Sequence, residues 1–186
     1  CTYCVNQSFS PQAGRPERPV REQMAEGIAY MRRRYHAEKF FAYFQAFTNT
    51  YAPVERLRRL YDEAVDFPDV VGLSIGTRPD CVPSEVLSLV ESYTDRVEVW
   101  LEYGVQSSND RTLERINRGH DFAVFADAIH RTQGRGIRTC AHVILGLPGE
   151  THADMMRTAE ALQALPIDGI KVHHLYVARG TALEAE

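Results

Sequence analysis

Cysteine is scarce in this sequence, and long apolar runs are missing from it. Four cysteines, Cys1, Cys4, Cys81 and Cys140, are too few and too unevenly spaced for a disulfide scaffold, so reduced thiols or metal ligands are expected. No stretch of about 18 apolar residues is present to span a bilayer, and the N-terminus lacks the basic-then-apolar order of a secretory signal. No membrane role is expected, and the default location is the cytoplasm. An excess of positive charge is missing too. Lys and Arg total 21 against 25 Asp and Glu, a net charge of -4, which argues against broad attraction to a nucleic-acid backbone. The basic runs Arg32-Arg33-Arg34 and Arg56, Arg58, Arg59 fall on helical patterns and read as solvated outer faces. There is no initiator methionine, and residues 181–186 carry no capping or terminating signal. A fragment truncated at both ends is therefore expected, forming one domain over residues 1–186. What is present suits that domain: 186 residues, 44% of them hydrophobic, can supply a substantial core.

Residues 5–17, rich in Ser, Pro, Gln and Gly, read as a loop. Over 18–36, Val20, Met24, Ile28, Met31 and Tyr35 recur at spacings of three and four, which predicts a helix with one apolar face. Strand and helix then alternate. A strand is predicted at 40–47, and Pro53 opens a helix through Leu57, Leu60, Tyr61, Ala64 and Val65. A strand at 70–75 precedes a helix at 84–93, and a strand at 97–105 precedes helical pieces at 109–117 and 122–133. A strand at 137–145 precedes a helix capped by Thr151, and a last strand covers 170–177. Five strands alternating with helices mean a parallel sheet of right-handed crossovers.

Polar motifs follow nearly every strand: Thr48-Asn49-Thr50, Thr77-Arg78-Pro79-Asp80, Gln106-Ser107-Ser108, Gly146-Leu147-Pro148-Gly149 and Arg179-Gly180-Thr181. An open doubly wound sheet would place its ligand at one switch point. Motifs at every strand end fit a barrel whose ends face one site. With a strand ahead of Cys1, absent from this sequence, the expected fold is α/β, a partial (β/α)6 TIM-like barrel of parallel strands.

The Cys1-Thr2-Tyr3-Cys4 spacing alone suits zinc, an iron–sulfur cluster or a redox disulfide. Taken with the strand-end motifs in this order, it resembles the radical S-adenosylmethionine (SAM) superfamily. Within it, the sequence is similar to bacterial relatives of oxygen-independent coproporphyrinogen oxidase and of the radical SAM half of the elongator acetyltransferase subunit. The resemblance covers essentially the whole chain and implies a [4Fe–4S] cluster, SAM, and an electron donor such as flavodoxin or ferredoxin. It implies reductive cleavage of SAM to a 5′-deoxyadenosyl radical that takes hydrogen from a substrate the sequence does not name.

Carried over residue by residue, the resemblance makes Cys1 and Cys4 the second and third cluster ligands, with the first expected upstream. Tyr3 matches an aromatic packed near the adenine. Gln45, Ala46, Phe47 and Thr48 stand where relatives carry a Gly-Gly-Glu type motif that receives the SAM ammonium; Ala and Phe in place of glycine are a departure. Ser74, Glu102 and Gln106 fall where SAM is recognised, Gln106 being the best match. Arg118 resembles an arginine that pairs with the SAM carboxylate, His142 sits at a ribose contact, and Ile144, Leu145 and Gly146 would wall the adenine.

Plainer readings stand beside these. Cys1 and Cys4 are half of a structural zinc site if the chain is a zinc-stabilised α/β binding module, which would have no use for Gln106, Arg118 and His142 around one cavity. A cofactor-free barrel enzyme would need an acid–base pair such as Glu102 and His142 at its substrate. A tRNA-modifying radical SAM enzyme is a further alternative. Ser74 and Glu102 also suit a barrel interior, and 146–149 a turn into a capped helix. Cys81, just past a strand end, is the candidate for a direct catalytic role, with Cys140 deeper on its strand; inert burial is the commoner fate of such thiols. His173 and His174 are adjacent on a strand and face opposite sides, so one is expected to be buried and hydrogen-bonded and the other to pack under a helix.

Overall fold

The computed structural model describes residues 1–4 and 18–185, and the loop expected at 5–17 lies outside them. The elements run α1 (Val20–Tyr35), β1 (Phe40–Phe44), α2 (Val54–Val65), β2 (Val70–Thr77), α3 (Ser84–Glu91), β3 (Glu98–Gln106), α4 (Asp110–Arg115), α5 (Phe122–Thr132), β4 (Arg138–Leu145), α6 (His152–Gln163) and β5 (Gly169–His174). The five strands expected within the sequence form one parallel sheet in the order β1-β2-β3-β4-β5. Each strand pairs with the next along the chain, so the sheet curls into a half-barrel, the partial TIM-like fold expected from the strand-end motifs.

Period-two alternation sorts the strand residues between two faces. Ala42, Leu73, Ile75, Val99, Leu101, Tyr103, Val105, Ala141 and Val143 are buried and pack in one cluster with Leu57 and Tyr61 of α2, Leu87 and Val90 of α3, Phe125 and Ile129 of α5, and Leu162 of α6. Each such aliphatic side chain contributes about 1.5–3 kcal/mol by leaving water. Two tyrosines in this layer spend their hydroxyls locally. Tyr103 reaches Thr132 at 2.8 Å, and Tyr61 donates to the Asn49 carbonyl at 2.7 Å. Residues of opposite parity, Tyr43, Ser74, Trp100, Glu102, Cys140, His142 and Lys171, fall on the concave face. That face is polar where the convex one is apolar.

The helix after β4 starts as expected. Thr151 accepts from the Asp154 amide while the Asp154 carboxylate accepts from the Thr151 amide, a capping box. Two strands end earlier than their apolar runs. β1 stops at Phe44, because Ala46 and Phe47 turn the chain through the left-handed region, both with φ of 62°. β5 stops at His174 rather than 177.

The reading of His173 and His174 needs correction, since both are exposed. β5 is the sheet's edge. Its outward side chains Ile170 and Val172 are 49% and 60% exposed.

Leu101→Ala, at a fully buried position of the central strand, should lower unfolding free energy by about 2–5 kcal/mol in urea titration. Val172→Ala on the open edge should change it by less than about 0.5 kcal/mol.

Candidate active site

The C-terminal ends of the strands and the N-terminal turn enclose a cavity of about 920 Å³. The turn is pinned from two sides. Thr2 donates its amide to the Ile116 carbonyl at 2.9 Å, and its own carbonyl accepts from Leu183 at 3.0 Å. Tyr3 packs with Leu113, Ile116, Leu147, Ile144 and Leu175, and burial pushes its hydroxyl pKa up. With Tyr3 as anchor, Cys1 and Cys4 remain exposed on the cavity wall, neither of them in a disulfide.

Backbone strain gathers in the same place. Among the described residues, five that are not glycine have positive φ: His36, Ala46, Phe47, Gln106 and Asn117. Ala46, Phe47 and Gln106 line the cavity, and Asn117 precedes Arg118, which also lines it. Left-handed backbone at such residues costs on the order of 1–3 kcal/mol each and persists where surrounding contacts enforce it. Around the turn after β1 the enforcing group is Asn49, whose Nδ2 donates to the carbonyls of Ala46 and Gly76, both at 2.9 Å. At Gln106 the register with β4 slips between Gly104 and Gln106.

Gly104 makes room for two functional groups. A Cβ there would fall 2.7 Å from Arg118 Nη2 and 2.7 Å from Gln106 Nε2. Arg118 is buried, 7% exposed, and donates from Nε (3.0 Å) and Nη2 to the Gly104 carbonyl. Its Nη1 lies 3.7 Å from Cys1 Sγ. One guanidinium thus touches both the end of β3 and the cysteine turn. Burial pulls its pKa down, and a guanidinium still keeps its charge in such surroundings.

Deeper on the concave face, Glu102 of β3 collects a donor from each other strand. Tyr43 Oη of β1 lies 2.7 Å away, His142 Nε2 of β4 2.6 Å and Lys171 Nζ of β5 3.3 Å, and Ser74 Oγ of β2 completes the set. Burial works against ionisation of this carboxyl, but the hydrogen bonds from His142, Ser74 and Tyr43 outweigh it and hold its pKa well below the usual carboxylate range.

The cavity therefore unites Cys1, Tyr3, Cys4, Gln45, Ala46, Phe47, Thr48, Glu102, Gln106, Arg118, His142 and Ile144, with Ser74 beneath, bonded to Glu102. Other candidates lie apart. Leu145 lines a smaller apolar pocket against Met155 and Leu162 of α6, and Gly146 lines neither. Cys81 is half-buried at the end of a single 3-10 turn and does not face the cavity. Cys140, half-buried on the concave face, is pushed up to about 11 by burial and by Glu102. Arg32, Arg33, Arg34, Arg56, Arg58 and Arg59 are exposed and outside the cavity, as expected of outer faces. Sequence reasoning missed Tyr43, Lys171 and His173 as site residues, while Arg78 was marked only as part of a strand-end motif. Tyr43 shares the parity of Gln45, and Lys171 that of His173, so strand alternation carried a usable signal.

The family model of the radical SAM superfamily matches residues 1–162. The chain belongs to the radical SAM superfamily. It is 44% identical over 184 residues to the protein YhcC of Escherichia coli K12, covering 98% of this chain and 58% of that one. The chain thus spans under three fifths of that curated relative. Among solved structures, the fold matches Elp3 of the archaeon Methanocaldococcus infernus with a TM-score of 0.76 at 19% identity, over 90% of this chain and 44% of that one. It also matches coproporphyrinogen III oxidase of Escherichia coli, a radical SAM enzyme, with a TM-score of 0.69 at 18% identity, over 95% and 41%.

A carboxylate whose folded pKa lies below its unfolded value of about 4.3 stabilises the fold above that value and withdraws the stabilisation as pH falls toward the folded one. Glu102→Gln should therefore cost about 2 kcal/mol or more at pH 7, where donors in the cluster lose an ionised partner. The gap from wild type should narrow steadily below about pH 4 in urea unfolding.

Proposed function

We propose that this protein is the SAM-cleaving core of a radical SAM enzyme, with Cys1 and Cys4 supplying two thiolates to a [4Fe–4S] cluster and a third thiolate coming from outside this sequence. The observation that carries the reading is the convergence of Cys1, Cys4, Gln106, Arg118 and His142 on one cavity at the strand ends. The donor set fits the group. Two exposed cysteines outside any disulfide stand at the wall with a guanidinium 3.7 Å from one of them, and anionic sulfur ligands suit a low-potential cluster. Among the described residues no group of three Cys, His, Asp or Glu is placed to hold a metal by itself. When bound, the cluster supplies the electron that cleaves SAM to methionine and a 5′-deoxyadenosyl radical, which removes hydrogen from the substrate.

The chain's own residues bind and orient. Arg118, anchored at the Gly104 carbonyl through Nε and Nη2, presents Nη1 beside Cys1 and so pairs with the SAM carboxylate. Gln106, held in a strained backbone, contributes a side-chain amide next to it. At the turn after β1, the Ala46 carbonyl takes one bond from Asn49 and retains a lone pair for the SAM ammonium. His142 spends Nε2 on Glu102 and keeps Nδ1 for a ribose hydroxyl. Tyr3 and Ile144 give the adenine an apolar wall. Glu102, already saturated by four donors, serves as a fixed anchor for His142 rather than as a free base. The zinc-module reading leaves Gln106, Arg118 and His142 without a role in the cavity they share.

The protein expressed from its complete gene and reconstituted anaerobically with iron and sulfide should hold about four irons and four sulfides per chain, the content of a [4Fe–4S] cluster. Cys4→Ala should lose both, together with the visible absorption. Stoichiometric zinc with no iron would overturn the proposal. Arg118→Ala should weaken SAM binding at least tenfold in equilibrium dialysis, because a charge-assisted contact is lost from a buried site.

A further inference from the structure

The cavity's charge runs against that of the whole chain. The sequence carries a net charge of -4, yet among the described residues lining the cavity the one carboxylate is Glu102, facing the cations Arg78, Arg118 and Lys171. Two of these cations have other employment. Arg78 forks onto Asp80 at 2.9 and 2.7 Å, and Arg118 is committed to Gly104 and the Cys1 side. Lys171 is different. Its ammonium has three N–H donors, of which one meets Tyr43 Oη at 2.9 Å and one meets Glu102 at 3.3 Å. Its side chain is 39% exposed and lines the cavity, so the third donor faces open space.

Beyond Glu102, the residues beside Lys171 on β5 bring no further acid. His173, two residues on along β5, lines the same wall with its ring 5.5 Å from that of His142, and His174 lies beside it. Three other donors, Tyr43, Ser74 and His142, share the Glu102 charge with Lys171, which is held in place with one donor left over. Tyr43 fixes it further, with Nζ 4.8 Å from the ring centroid.

We infer that the β5 side of the cavity is a substrate subsite for an anionic group, a carboxylate or a phosphate ester, with Lys171 as its charged contact and His173 beside it. This rests on the reading that Gln106 and Arg118 hold SAM, which leaves the β5 side to the substrate. Tyr43 and Glu102 are positioning residues here: they orient the ammonium and touch the substrate only through it. A lysine suits this task as a compact point charge with rotatable donors, accepting either anion without the planar match that a guanidinium demands.

The test uses the protein expressed from its complete gene, reconstituted anaerobically and saturated with SAM. Carbon-13-labelled succinate and inorganic phosphate are titrated separately, and line broadening is followed by NMR, so the two arms tell a carboxylate site from a phosphate site. One anion should saturate on the wild type. Its Kd should rise at least tenfold in Lys171→Met and less than threefold in Lys171→Arg, with thermal melting confirming that both variants fold. Should Lys171→Met fail to fold, His173→Ala at an exposed position carries the test, with an expected loss of about threefold. Neither anion saturating on folded wild type, or equal binding by Lys171→Met, would overturn the subsite. Equilibrium dialysis of labelled SAM on the same samples separates the two readings. Anion binding that follows Lys171 without SAM binding sinks the SAM assignment alone, and SAM binding without anion binding sinks the subsite alone.

Discussion

One carboxylate holds the interior of this half-barrel together. Glu102 stands on the central strand and receives a hydrogen bond from a side chain of each other strand, Tyr43, Ser74, His142 and Lys171. Backbone ladders join neighbouring strands only, whereas this anion also joins the two edges of the sheet. The arrangement follows from the pleat. Residues of one parity point inward on every strand, and a curled sheet brings them within reach of one another. A buried charge is costly without partners, and four partners from four strands make its ionised form the favoured one. Because the same donors form the floor of the cavity, the interaction that shapes the barrel also sets what the cavity can bind.

Much of this was legible in the residues. The alternation of apolar strands and amphipathic helices specified the parallel sheet, and Thr151 announced its helix through a capping box that the structure contains. Thr48 and Gln106 were marked by polarity where an apolar run stops, Gln45 to Phe47 and Arg118 by the resemblance alone, and they do meet in space. Tyr43 and Lys171 were harder to see because neither sits at a strand end. Each lies inside a run that reads as ordinary strand, and only the curl of the sheet, a tertiary property, brings residues of the first and last strands together. The two histidines of β5 were misread because burial of an edge strand depends on what lies beyond it, which no local pattern reports. The early end of β1 escaped for a related reason: Ala46 and Phe47 have no intrinsic liking for left-handed backbone, and Asn49 with Gly76 imposes it on them.

Strain and rigidity divide the labour in the cavity. The unstrained convex face, packed with Leu73, Leu101, Tyr103 and Phe125, provides the stability that lets Ala46, Phe47, Gln106 and Asn117 keep unfavourable backbone angles on the other side. Preorganisation of this kind removes freedom before a ligand arrives, so binding energy is not spent on ordering the site. The near contact of Gly104 with Arg118 and Gln106 shows how tight the arrangement is, since even one added methyl group would collide with both side chains.

The contact between Lys171 and Tyr43 joins residues 128 positions apart, and the cysteine turn is tied to Leu183 near the other end of the sequence. All sheet pairings, by contrast, link strands that follow one another, separated by a single crossover. During folding, each strand–helix unit can therefore be added to the last at modest entropic cost, while the two long-range closures wait until most of the sheet exists. The cavity is thus closed by the contacts of longest sequence separation in the structure's own pairing scheme.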